Sequence, residues 1–194
     1  MFLDLDLNVA RALNSFLHNT NGAFTSLFKG ITFLAEKGWF FFLVSFILCL
    51  FKKTRRKGII CLLSIIISCV FMYLLKNIVR RPRPFIDETS EYYKFWVEAG
   101  KVYESSYSFP SGHTTIACAF GVALFLTSNK KYSYVYFLIP VLIGITRIYF
   151  NVHYFSDVCA AAFLSALLAI ITYFIYNYVI KKYYITEKCE EDNA

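Results

Sequence analysis

Five apolar runs constrain this chain more than anything else in it. Residues 38–51, 58–75, 114–128, 132–149 and 158–180 are almost continuously hydrophobic. A bilayer core takes about 20 residues of helix, and a backbone in lipid must satisfy its own hydrogen bonds, which only helices and closed barrels do. The runs lack the period-two alternation of barrel strands. They predict an all-α fold, an integral membrane helical bundle of about five transmembrane helices. The first run is short and should borrow a turn or more from residues 31–35. The chain is 58% hydrophobic, against about 45–50% in a soluble domain, and the surplus must face lipid.

Residues 1–37 are too polar to span comfortably. Leu3, Leu5, Leu7, Ala10, Leu13, Phe16 and Leu17 alternate with Asp4, Asp6, Asn8, Arg11 and Asn14. This pattern predicts N-terminal interfacial helices, broken near 19–22 and resumed around 24–35. With 194 residues the chain suits a single membrane-embedded domain: 1–37 interfacial, 38–182 the bundle, 183–194 a polar tail. No cleavable leader is expected, because Asp4 and Asp6 stand where a basic segment would be.

The net charge is +7, but the cations flank apolar runs, which points to membrane lipids and lipid phosphates and not to nucleic acid. Lys52, Lys53, Arg55, Arg56 and Lys57 crowd one connection, Lys130 and Lys131 another, and Lys181 and Lys182 end the last run. Five spans put all of these on one side, and the positive-inside rule makes that side cytoplasmic. The opposite side carries half of the 20 Lys and Arg residues, so those cations need another purpose. Cys49, Cys61, Cys69, Cys118 and Cys159 sit in apolar segments and Cys189 in the tail. None has metal-ligand spacing, and they read as packing residues.

The outer cations stand among residues that suit phosphate chemistry. Lys76, Arg80, Arg81 and Arg83 end the second run; Pro110, Ser111, Gly112 and His113 open the third; Arg147 ends the fourth; His153 and Asp157 open the fifth. Antiparallel neighbours bring these stretches to one membrane face. Arginine offers a fork of donors matched to phosphate oxygens. A helix start adds free N–H groups, with Ser111 as cap or donor and Gly112 allowing close backbone approach. His153 and Asp157, four residues apart, share a helix face. The carboxylate can hold one ring nitrogen protonated and leave the other to attack phosphorus. His113 then suits proton transfer to the leaving group and from water. The cations supply the charge stabilisation, so no metal and no cofactor is expected. His18 reads as an ordinary interfacial residue, Arg80 and Arg81 as snorkelling cations or phosphate ligands. The 85–109 loop reads as an interfacial segment or a headgroup-sorting cover.

These stretches resemble the signature of the type 2 phosphatidic acid phosphatase superfamily, which includes vanadium haloperoxidases and bacterial undecaprenyl-diphosphate phosphatases. Lys76 to Arg83-Pro84 matches its first motif, Pro110-Ser111-Gly112-His113 its second, and Arg147, His153 and Asp157 its third, with Thr146 where the family usually has Ser. The resemblance implies His153 as nucleophile, Asp157 as its partner and His113 as acid. It also implies Lys76, Arg83, Ser111, Gly112 and Arg147 as substrate ligands. It implies a bacterial inner-membrane enzyme that acts at the outer face, most simply on undecaprenyl diphosphate, with phosphatidylglycerophosphate or phosphatidate as rival substrates. A non-catalytic lipid-binding or transport protein would need the cations but not the His153–Asp157 pair.

Overall fold

The computed structural model describes the backbone of residues 2–128 and 131–191, and side chains of residues 4–128 and 131–182. Lys130, Lys188, Cys189 and the charges of the tail lie outside the described side chains. Every regular element among the described residues is helical. The α-helices are α1 (Phe2–Asn19), α2 (Thr25–Leu34), α3 (Trp39–Leu50), α4 (Arg55–Val79), α5 (Glu91–Glu98), α6 (Gly112–Thr127), α7 (Leu138–Tyr149) and α8 (Phe155–Glu191), with 3-10 turns at Glu36–Gly38, Pro84–Ile86 and Ser133–Phe137.

Among the described residues, three helical stretches are long and apolar enough to cross a bilayer: Thr25–Leu50, Arg55–Ile86 and Phe155–Lys182. Gly112–Thr127 and Ser133–Tyr149 are apolar but shorter, and they fall where the other two spans are expected. The first stretch therefore takes in all of α2, more than the sequence suggested, so residues 25–34 join the apolar helices. Its direction changes at Lys37 and Gly38, whose φ values are 49° and 73°.

α6 is the centre of the bundle, buried from His113 through Leu124 and packed against α4, α7 and α8. Small residues permit this and the neighbouring approach of α3 to α4. A Cβ on Gly121 would lie 2.9 Å from the Tyr136 carbonyl oxygen, and one on Gly58 would lie 2.6 Å from backbone atoms of Ser45 and Cys49. Phe41, Ile60, Ile65, Phe120 and Ile143 fill the space around these close approaches. Ile66, Val70, Phe163, Phe174 and Tyr178 point outward and are exposed, an apolar exterior of the kind that lipid covers.

The site end has its own core. Leu17, Phe85, Ala99, Tyr149, Phe150 and Val152 are buried together, and Phe85 stacks on Trp96 at 4.7 Å. The 85–109 loop is thus a packed cap. Within it Ser90 accepts from the Tyr93 N–H and starts α5. α1 is strapped to α5 by Arg11–Glu91 at 2.6 Å and His18–Glu98 at 3.1 Å, so His18 has a specific partner. α8 continues as backbone helix through Glu191, which covers most of the expected tail.

Candidate active site

Each site residue stands where a helix begins or ends. Lys76 lies in the last turn of α4 and donates to the Tyr107 carbonyl. The helix stops at Arg80, whose φ of 50° is left-handed, and Pro82 cannot resume it. The extended chain beyond turns Arg83 inward. Its Nε donates to the Ser106 carbonyl at 2.6 Å, its Nη1 to the Val152 carbonyl at 2.8 Å, and Nη1 lies 3.3 Å from His153 Nε2.

Ser111 is the N-cap of α6; its buried hydroxyl accepts from the Thr114 N–H at 3.5 Å and lies 3.0 Å from the Thr114 hydroxyl. Ser111 thus fills the cap, one of its two expected roles. A Cβ on Gly112 would touch only Met72, at an ordinary 3.7 Å, so protein packing does not demand glycine there. His113 Nε2 lies 3.4 Å from Glu36 Oε2 and has no hydrogen-bond partner among the described residues.

Arg147 closes α7. Its Nη1 donates to the Thr32 hydroxyl at 2.6 Å and its Nη2 to Glu104. Thr146 spends its hydroxyl on the Ile143 carbonyl of the same helix, so the departure from Ser is absorbed within α7. The chain turns at Asn151, φ 50°, and presents His153. Its Nδ1 is 3.7 Å from Asp157 Oδ2, longer than a hydrogen bond, with no hydrogen-bond partner among the described residues. Burial pushes the His153 imidazole down to about 3, against the opposing pull of Asp157, so the ring is neutral at ordinary pH.

Asp157 is fully buried and held on three sides. Oδ1 accepts from Arg81 Nη1 at 2.7 Å, and Oδ2 accepts from the Ser108 hydroxyl and from the Tyr154 N–H at 3.0 Å. Arg81 reaches on to Asp6 of α1 at 3.0 Å and lies 3.7 Å over the Tyr154 ring. Asp6 also accepts from the Ser156 N–H and hydroxyl, each at 2.7 Å. All the expected residues gather here: His113 is within electrostatic reach of Arg147, His153, Arg83 and Lys76, and Ser111 N–H donates to the Asp157 carbonyl at 3.4 Å.

Residues 57–181 match the PAP2 superfamily. The chain belongs to that family. Undecaprenyl-diphosphatase of Sulfolobus acidocaldarius is 32% identical over 123 residues, 63% of this chain and 57% of that protein, so the match spans a little over half of that relative. The crystal structure of Aquifex aeolicus LpxE superposes with a TM-score of 0.70 and 27% identity, over 87% of this chain and 94% of that one. The transmembrane PAP2 type phosphatidylglycerolphosphate phosphatase from Bacillus subtilis does so with a TM-score of 0.69 and 25% identity, over 91% and 87%. With its apolar helices, this PAP2 chain is a multi-pass membrane protein.

The PAP2 motifs do not include everything the site contains. Arg81 pairs with Asp157 and Asp6, a different use from either expected for it, whereas Arg80 stays exposed and donates to the Asn77 carbonyl. Asp6 was legible in one respect: it shares a helical stripe with Ala10 and Leu17, both buried, and a carboxylate on a buried stripe needs a cation. Glu36 and Glu104 gave no such signal. With His113 they bring ligand atoms within 4.8 Å of one another, a trio the sequence did not predict. Glu104 already faces two arginines, so its carboxylate is engaged by cations within the protein.

Proposed function

We propose that this chain is a membrane lipid phosphatase that removes a terminal phosphate through a phosphohistidine. The observation that carries the reading is the setting of His153: a neutral, buried ring with Nδ1 toward Asp157 and Nε2 toward Arg83. A proton on Nδ1 leaves Nε2 unprotonated, with a lone pair that accepts from Arg83 until an arriving phosphate takes that guanidinium. Nδ1 stands 3.7 Å from Asp157 Oδ2, and catalytic hydrogen bonds that are long without substrate often tighten when it binds.

His153 Nε2 attacks phosphorus as the bond to the lipid oxygen breaks. His113 protonates that oxygen, then takes a proton from water, whose oxygen breaks the N–P bond and frees inorganic phosphate. Lys76, Arg83, Arg147, the Ser111 hydroxyl and the N–H groups at Gly112 stabilise charge on the equatorial oxygens. Gly112 is favoured there because a side chain would crowd the phosphate. Undecaprenyl diphosphate is the substrate of first choice, and phosphatidylglycerophosphate and phosphatidate are the rivals. The basic connection at 52–57 argues for an active site on the outer face of a bacterial membrane.

Purified protein, assayed for phosphate release against isoprenyl diphosphates, phosphatidylglycerophosphate and phosphatidate, tests this. Release is expected with EDTA present, blocked by orthovanadate, and lowered at least about a thousandfold in His153→Ala. Full activity in His153→Ala would remove the nucleophile. Strict Mg²⁺ dependence would remove the metal-free scheme. No release from any lipid would favour a lipid-binding protein.

A further inference from the structure

We propose that Glu104 is an internal anion that holds the place of the substrate's terminal phosphate and so sets the charge a headgroup needs to bind. This deepens the phosphatase reading and rests on it.

Glu104 Oε1 accepts from Arg147 Nη2, and Oε2 lies 3.7 Å from Arg83 Nη2. One carboxylate across two guanidinium groups copies the way two phosphate oxygens would meet them. The same side chain lines a cavity of about 610 Å³ with Lys76, Asn77, Arg83 and Tyr107. Arg147 and His153, only 1% and 3% exposed, are not part of that wall. Glu104 therefore belongs both to the opening and to the cations behind it. Its side chain is 23% exposed and sits outside any helix, between α5 and α6. These features leave it room to swing out.

Two needs meet in this residue. A buried guanidinium without an anion is costly, and Glu104 meets that cost for Arg147 between turnovers. A tethered carboxylate also competes with every arriving anion. The membrane around the protein is crowded with phosphodiester headgroups, which carry one negative charge, as Glu104 does, and are not tethered. They lose that competition. A terminal phosphate carries about 1.5 to 2 negative charges and three acceptor oxygens, and it displaces the carboxylate. Discrimination between bulk lipids and phosphate-ended lipids then follows from charge alone.

The test compares full-length wild type, Glu104→Gln and Glu104→Asp in micelles. Orthovanadate binding is read from the shift in melting temperature, and inhibition of phosphate release by phosphatidylglycerol is read in parallel. If the carboxylate occupies the arginines at least about nine-tenths of the time, Glu104→Gln binds vanadate about tenfold more tightly. Phosphatidylglycerol, weak against wild type, becomes a competitive inhibitor of that variant. Glu104→Asp, which keeps the charge, stays nearer wild type. Unchanged or weaker vanadate binding in Glu104→Gln would overturn the proposal, leaving Glu104 as a brace for Arg147. Equal tightening in both variants would overturn it as well, because packing and not charge would be the cause. Vanadate binding needs no turnover. A chain that releases no phosphate would thus sink the phosphatase reading while the binding result still decides this one.

Discussion

The molecule has two basic clusters, one at each end of α4, and they are treated in opposite ways. Lys52, Lys53, Arg55 and Arg56 are exposed. The partners found at that end are neutral: Arg55 donates to the Cys49 carbonyl, Arg56 to Asn177 and Lys57 to Ser128. At the other end Arg81, Arg83 and Arg147 are withdrawn from water, and each meets a carboxylate: Asp6 and Asp157 for Arg81, Glu104 for the other two. Removing a charge from water costs several kcal/mol or more. A fold accepts that cost where the charge has work that solvated charge cannot do. Count and spacing of cations look alike at the two ends; burial and pairing tell an orienting cluster from a chemical one.

The comparison breaks first at Arg81. Arg81→Ala leaves Asp6 and Asp157 buried without their cation, and phosphate release is expected to fall about a hundredfold, mainly in kcat. Asp6→Asn, which keeps Arg81 on Asp157, should cost about tenfold. Rates within twofold of wild type for both would show that α1 has no part in positioning the nucleophile's partner. A pH series sharpens the contrast next. Folded His153 holds off its proton down to about 3, whereas the free imidazole takes one near 6.5. Between those values the unfolded chain binds the extra proton, so folded stability present above about 6.5 is lost as pH falls. The wild-type melting temperature should drop across that window, and His153→Asn should flatten the slope. An identical slope in the variant would assign the acid sensitivity to other groups. The smallest effect belongs to the solvated end: Lys52→Gln with Lys53→Gln should change phosphate release in micelles by less than about twofold. A large loss there would erase the distinction between the two clusters.

The apolar runs and the motif residues were legible because each is a local pattern. A helix needs a continuous stretch of suitable residues. The four-residue spacing of His153 and Asp157 brings them together, although His153 stands in the turn before α8 and only Asp157 lies on the helix. The shared helix face expected from the sequence is replaced by a turn-to-helix contact. The first apolar helix exceeded its expected limits because Thr25–Leu34 mixes polar residues into an apolar stretch, and packing of α2 on α7 decided what periodicity left open. α5 was missed for a similar reason: eight residues, Glu91–Glu98, carry too little pattern to stand out from a loop.

The sequence by itself thus determined a helical membrane bundle and the residue types at one of its faces, because both follow from neighbours along the chain. Tertiary structure alone decided which cation met which anion. Asp6 and Arg81, or Glu104 and Arg147, come from segments that no spacing rule connects. Pairing between them depends on how the helices pack and which charges that packing takes out of water.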